Sequence, residues 1–238
     1  VWNPSGVRAI ATLVRRIYLD DIVGFLPFSQ RICLVMYADD ILLLAPSVCE
    51  LQRLLDVCET ELKWLGMSIN AKKSCCMRIG PRCDTNCANL KTRDGNNLPW
   101  VKEMRYLGVH IVQSRKFKCS LVEAKKSFYR AFNAIIGRVG RIASEQVVLQ
   151  LIYSKCIPTL LYGLEACPLN VSDIRSIDFT FTRIMMKLFK SSDMNVITDC
   201  LSYFQMSLPS TLLSNRTKKF IEKYCATANA LCSYCFSC

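Results

Sequence analysis

The chain has 238 residues, 51% hydrophobic and 10% aromatic, which suits one mid-sized domain or two small ones and excludes a disordered composition. Its strictly apolar runs reach about seven residues, far short of the about 20 that a membrane span takes, so no membrane partner is expected. The net charge of +12 is uneven: residues 1–112 hold 14 Lys+Arg and 11 Asp+Glu, and residues 113–238 hold 17 and 8. A basic half implies an anionic partner, nucleic-acid phosphate foremost, or a solvated basic surface.

The start, Val1-Trp2-Asn3-Pro4, has no initiator Met, no basic segment and no long apolar stretch of the signal-peptide kind. It reads as a piece of a longer intracellular protein, of cytoplasm or nucleus, that is not secreted. The 15 cysteines are scattered, and Cys33, Cys58 and Cys156 sit inside apolar runs. That is the usage of reduced core cysteine, not of a disulfide framework. Cys225, Cys232, Cys235 and Cys238 include two C-x2-C steps, a spacing zinc uses, but no His lies nearby.

Residues 5–26 read as a turn and an apolar helix-like stretch, broken by Pro27. Residues 31–46, RICLVMYADDILLLAP, place two apolar runs around Asp39-Asp40, the pattern of two strands joined by a tight turn. Ser47 and Glu50 have the spacing of a capping box. Val48, Leu51, Leu55, Cys58, Leu62 and Leu65 then form one helical face, with Gly66 as a stop. Residues 67–79 read as a turn and a strand, 80–99 as a loop, and 103–112 as a strand, beside which the 31–46 hairpin is expected to lie. From Phe117 the pattern turns helical. Residues 121–141, 144–156 and 172–190 are the candidate helices, punctuated by Pro158 and Pro168.

Asp39-Asp40 is the strongest chemical signal. Two adjacent acids between apolar strands are costly unless solvated, paired or bound to metal. A hairpin turn exposes both, and hard oxygen donors suit Mg²⁺. Two such ions about 3.5–4 Å apart activate a primer 3′-hydroxyl and stabilise a leaving pyrophosphate in polymerases. An ordinary turn also uses Asp. Tyr18-Leu19-Asp20-Asp21 fits the same Y-x-D-D spacing, but no apolar strand follows it, so Asp20 and Asp21 read as a solvated helix end.

Tyr37-Ala38-Asp39-Asp40 and its flanks resemble the catalytic YxDD hairpin of reverse transcriptases. Residues 47–66 resemble the palm helix after it. Residues 67–74, MSINAKKS, resemble the family's "G-L-x-x-N-x-x-K-T" segment. Arg105-Tyr106-Leu107-Gly108-Val109 resembles the "Y-L-G" primer-grip strand. Residues 158–165, PTLLYGLE, resemble the "P-x-L-x-Y-G-x-E" helix of non-LTR, LINE-type elements. The order matches across most of residues 5–190. Ser5-Gly6-Val7-Arg8 resembles the start of "G-V-R-Q-G-x-x-L-S-P", but Ala9-Ile10-Ala11-Thr12 follows it. The family's other metal-binding Asp lies on a strand before that motif, so a C-terminal fragment without it is expected.

The resemblance implies Asp39 and Asp40 as catalytic metal ligands, with Tyr37, Lys73, Tyr106 and Gly108 near nucleotide or primer. It implies Mg²⁺ as the ancestral cofactor, weakly held or absent here, and an RNA template and DNA primer as partners. Lys72 and Lys73 read equally as solvated lysines, and Gly108 as a close backbone approach in a packed strand. His110 has no nucleophile to pair with and reads as an ordinary surface or core residue. In residues 115–141, Lys125, Lys126 and Arg130 are candidates for nucleic-acid phosphate, with Phe117, Phe128, Tyr129 and Phe132 turned inward.

An α+β fold is expected: a partial polymerase palm with a small antiparallel sheet and packed helices (residues 1–112), a basic helical thumb-like region (113–205) and a Cys-containing C-terminal segment (206–238). The expected function is ancestral RNA-directed DNA polymerisation, inactive in this isolated chain. The rival is a non-catalytic nucleic-acid-binding remnant.

Overall fold

The computed structural model of the chain describes residues 33–37, 39–140 and 142–227. The readings over residues 5–26 and at Cys232, Cys235 and Cys238 lie outside the described residues. Two compact units divide the chain, Val1–Arg78 with Arg82–Lys102, and Ile79–Pro81 with Glu103–Cys238. Helices and small antiparallel sheets are mixed, as an α+β class requires. No helix among the described residues is long and apolar enough to cross a membrane.

In the first unit, strands β1 (Cys33–Tyr37) and β2 (Asp40–Leu44) pair antiparallel from Cys33 opposite Leu44 to Tyr37 opposite Asp40. They form a two-stranded ladder of their own, with no third strand among the described residues. Helix α1 (Val48–Trp64) follows. Ser47 Oγ accepts from the Glu50 backbone N–H at 3.2 Å, and the Ser47 hydroxyl donates to Glu50 Oε2 at 2.9 Å. The N-cap of the expected box is therefore made, while its return bond runs between side chains. At the other end Gly66 takes φ +71. Its N–H donates to Lys63 O, and that of Met67 to Leu62 O, a Schellman stop that satisfies two orphan carbonyls.

Two expectations are corrected here. Residues 67–79 hold no strand, only a single bridge of Cys76 to Trp100, because Asn70 turns the chain. Its side chain accepts from the backbone N–H groups of Lys72 and Lys73 at 3.1 and 3.3 Å, an alternative to ladder bonds typical of Asn. Residues 80–99 are not all loop. Strands β3 (Leu90–Lys91) and β4 (Asn97–Leu98) pair around Asp94-Gly95, with Gly95 at φ +80. Gln52 on α1 holds β3 by donating to Lys91 O at 2.8 Å and accepting from Lys91 N–H at 2.9 Å. Glu59 accepts from the Arg93 N–H at 2.8 Å. The cluster beneath them is Leu55, Cys76, Leu90 and Leu98, with Leu43 and Leu51 packed against it.

In the second unit, residues 103–112 are not one strand. Strands β5 (Glu103–Tyr106) and β6 (Val109–Val112) form a hairpin with Tyr106 opposite Val109. Leu107 and Gly108 at its tip take φ +47 and +85, the pair of positive angles that a type I′ turn needs to match strand twist. The helices are α2 (Val122–Val139), α3 (Glu145–Leu151), α4 (Ile157–Leu160), α5 (Val171–Phe189), α6 (Met194–Tyr203) and α7 (Pro209–Ala226). Pro158 has no N–H to donate, and a wide π turn, Ile152–Cys156, runs into α4 ahead of it. Asn170 and Asp173 make a full capping box at the start of α5. The core joins Phe128 and Phe132 of α2 to Ile152, Ile157, Phe181 and Met185.

Cys58 and Cys156 are buried, in keeping with their apolar runs. Burial pushes each thiol up to about 11, helped at Cys58 by Glu59 and Glu61.

Candidate functional site

Asp39 sits in the turn after β1, and Asp40 opens β2 directly across from Tyr37. Cross-strand partners project from the same side of a ladder. Alternation puts Leu43, which packs on the small core, on the other face from Asp40. The geometry thus turns Tyr37 and Asp40 away from the core. Tyr37 is 64% exposed, and Asp39 and Asp40 are exposed too. An exposed aromatic beside two carboxylates at a hairpin tip is an arrangement suited to meeting a ligand, since burial elsewhere supplies the folding energy.

Lys73 follows the Asn70 turn and is exposed. Among the described residues no ion pair joins it to Asp39 or Asp40.

Tyr106 and Gly108 belong to the β5–β6 hairpin, and the structure gives them a partner that sequence reasoning missed. The Tyr162 ring lies over the turn: a Cβ on Gly108 would come within 2.8 Å of Tyr162 Cε1. The Tyr162 hydroxyl donates to Leu107 O at 3.3 Å. Next to it Gly163 takes φ +70, and a Cβ there would meet Val109 Cγ2 at 2.6 Å. Two glycines, one in each segment, therefore let the 106–109 and 161–164 turns interlock. The close backbone approach expected at Gly108 is real, but it occurs in a turn, not within a strand.

His110 on β6 places Nδ1 3.3 Å from Glu103 Oε1 on β5, an ordinary cross-strand pairing. On α2, Phe128 and Phe132 are buried and Tyr129 half-buried, while Lys126 and Arg130 are exposed; Phe117, expected inward, precedes the helix and is exposed. Both cations reach Glu123, at 2.6 and 3.9 Å. The Lys126 hydrogen bond holds the Glu123 carboxyl below its usual range, against some desolvation and with help from the charges of Lys126, His110 and Arg130. Lys125 is half-buried, and its ammonium donates to Ser176 Oγ on α5. The three candidate cations thus differ: one is tied to α5, and two share an acid.

Residues 8–111 match the family model for reverse transcriptase (RNA-dependent DNA polymerase). No curated protein and no solved structure matches the chain. The matched span holds Tyr37, Asp39, Asp40, Lys73, Tyr106 and Gly108. It stops short of Lys125, Lys126, Arg130 and Tyr162. The match supports a reverse transcriptase domain over that span, and such domains act on nucleic acid with Mg²⁺.

Asp39 and Asp40 offer the hard oxygen donors that Mg²⁺ takes. Among the described residues, however, no group of three or more His, Cys, Asp or Glu side chains is placed to hold a metal ion. Two neighbouring carboxylates from one turn approach an ion from one side, and they do not by themselves make the two-metal site that phosphoryl transfer requires.

Proposed function

We propose that this chain is part of a reverse transcriptase of the non-LTR, LINE type, with palm elements in residues 1–112 and a thumb-like region in residues 113–205. Its ancestral reaction is RNA-directed DNA polymerisation on an RNA template with a DNA primer, in the cytoplasm or nucleus. The observation that carries the reading is the exposure of Tyr37, Asp39 and Asp40 at the tip of the β1–β2 hairpin, inside the matched span. Asp39 and Asp40 are the metal ligands, and Tyr37 and Lys73 border the nucleotide. Tyr106 and Gly108 form the turn that meets the primer.

The 238-residue chain taken alone does not extend a primer. With two carboxylates from one turn, Mg²⁺ keeps most of its water, and among the described residues no further acid joins them to hold the second side of the ion pair. The test is primer extension on an RNA template with Mg²⁺ or Mn²⁺, comparing this chain with Asp39→Ala. No product from either is expected. Product that disappears in Asp39→Ala would overturn the inactivity and show that a further acid, such as Asp20 or Asp21, completes the site.

A second reading, a non-catalytic nucleic-acid binder, is favoured by α2, whose aromatic face is buried while Lys126 and Arg130 face solvent. Reversing Lys125, Lys126 and Arg130 to Glu then weakens binding uniformly across sequences.

A further inference from the structure

Helices α5 and α6, with the segment after α6, frame an open cavity of about 540 Å³ in the second unit. Ile197 and Leu201 form its floor, at 1% and 9% exposure, and belong to the core. Phe179 and Met186 of α5, Met194 of α6 and Met206 after it supply the apolar walls. The mouth is uncovered, with Phe179 at 59% and Met194 at 52% exposure. Among the residues that line it, Asp178 alone is charged, and its carboxylate already accepts from the Ser210 N–H at 2.9 Å. Thr198 turns its hydroxyl to Met194 O at 2.8 Å. The cavity therefore offers a ligand chiefly carbon and thioether surface.

The α5 side of the mouth is basic. Arg175, Phe179, Arg183 and Met186 fall at i, i+4, i+8 and i+11, one strip of the helix. Arg175 and Arg183 are exposed, and the Arg183 guanidinium carbon lies 5.9 Å over the Phe179 ring. Exposed Lys190 ends the strip at the C-cap. Among the described residues none of these three cations is in an ion pair. The acids of the α6 side are placed otherwise. Asp193 accepts from the Asn195 N–H as the N-cap, and Asp199 does not line the cavity. From Arg175 to Lys190 the strip runs about 22 Å at 1.5 Å per residue, room for a partner helix of about four turns.

We infer that this groove docks an acidic amphipathic helix of a partner protein, with its apolar face in the cavity and its carboxylates on Arg175, Arg183 and Lys190. An uncovered apolar patch rimmed by polar groups suits a protein partner. Methionine walls repack around the apolar anchors that a docked helix presents at i, i+3, i+4 and i+7. Unpaired cations along one edge set the sign of the partner's charge. A nucleic-acid backbone would use the cations and leave the cavity empty, and Arg183 already takes a face of the one aromatic ring in the wall on which a base could stack. The site lies outside the matched span and uses neither the Tyr37–Asp40 turn nor Lys126 and Arg130.

The test is fluorescence anisotropy on the full chain with a labelled helical peptide of about 18 residues, carrying Leu at i, i+3, i+4 and i+7 and Glu on both flanks. A twin peptide has Lys at every Glu, and circular dichroism checks that each variant stays folded. The Glu peptide is expected to bind the parent, and the Lys twin about tenfold or more weakly, with the difference shrinking as salt rises. Phe179→Ala should weaken the Glu peptide about tenfold, the order of one lost anchor contact. Thr198→Trp, which fills the cavity and removes no apolar contact, should block it. Arg175→Glu with Arg183→Glu should invert the preference, so that the Lys twin binds more tightly than the Glu peptide. Equal binding of the two peptides by the parent overturns the acidic partner. Binding that survives both Phe179→Ala and Thr198→Trp overturns the groove, as does no binding by the folded parent. A labelled oligouridylate that displaces the Glu peptide and is itself lost with Arg175→Glu and Arg183→Glu overturns the proposal and gives the face to nucleic acid.

Discussion

In the unit of Val1–Arg78 and Arg82–Lys102, four buried side chains form the described cluster, and hydrogen bonds from Gln52 and Glu59 hold the β3–β4 hairpin to α1. In the unit of Ile79–Pro81 and Glu103–Cys238, eighteen buried residues form one cluster that draws on all six helices α2–α7. The Tyr37–Asp40 turn stands on the thinly packed unit, and the Tyr106–Gly108 turn on the densely packed one. A turn on a small core is held by its own ladder, so its carboxylates stay open to solvent and ligand. A turn on a large core is held by side-chain contact, as Tyr162 holds Gly108. The two motifs are therefore fixed by different physics and respond differently to mutation.

The sharpest way to break that contrast is to remove one core at a time. Phe181→Ala should cost about 3–5 kcal/mol by transfer and cavity terms, a large share of a domain's whole stability. Leu55→Ala should cost about 2–5 kcal/mol in the smaller cluster. Hydrogen exchange read by mass spectrometry assigns each loss. Phe181→Ala is expected to release the amides of residues 103–226 and spare those of 40–102, and Leu55→Ala the reverse. Release of both segments by either substitution would show one cooperative block instead of two units.

The interlocked turns provide a smaller, more local test. Gly108→Ala meets the Tyr162 ring and also places a Cβ at φ +85, a backbone position that costs an L-residue about 1–2 kcal/mol. In a Tyr162→Ala background only the backbone cost remains. A double-mutant cycle on chemical denaturation should therefore give a coupling of about 0.5–3 kcal/mol. A coupling of zero would mean that the ring does not hold the turn in solution.

What could be read in advance follows the same division. The β1–β2 hairpin, α1 and α5 were legible because long apolar periodicity, and at α1 the capping residue Ser47, act locally. The β3–β4 and β5–β6 hairpins were not, since strands of two to four residues carry too little alternation to separate from loop or from one longer strand. Asp94-Gly95 was the available signal for the first. For the second, Leu107 at φ +47 hides the turn, because Leu is a poor residue for that angle and Gly108 alone reads as a strand glycine. At the candidate site, Tyr37, Asp39 and Asp40 were legible since a tight turn between apolar strands exposes them. Tyr162 could be quoted as a motif residue, but its hydrogen bond to Leu107 joins positions 55 residues apart, and only packing shows it. Glu123 as the shared acid of Lys126 and Arg130 follows from i, i+3 and i, i+7 spacing on α2, a helical signal that the sequence carries.

The smallest expected effect concerns that acid, and it asks whether the dense unit draws on its surface charge as well as its core. The folded-state pKa of Glu123 lies below its usual value of 4.5, chiefly through the Lys126 hydrogen bond. A depressed carboxylate contributes stability that is fully present above the unfolded pKa and lost as pH falls through the folded one. Melting temperatures of the parent and Glu123→Gln should therefore differ at neutral pH, and the gap should close as pH drops below about 4.5. It should also narrow in 1 M salt, since the group is solvent-facing and screening is strong there. The same substitution bears on binding. Glu123 competes with phosphate for Lys126 and Arg130, so Glu123→Gln should tighten nucleic-acid binding through α2 at low salt. A gap that persists undiminished at pH 3 would assign the loss in Glu123→Gln to packing instead of charge, and the surface of this unit would then add nothing to what its core already supplies.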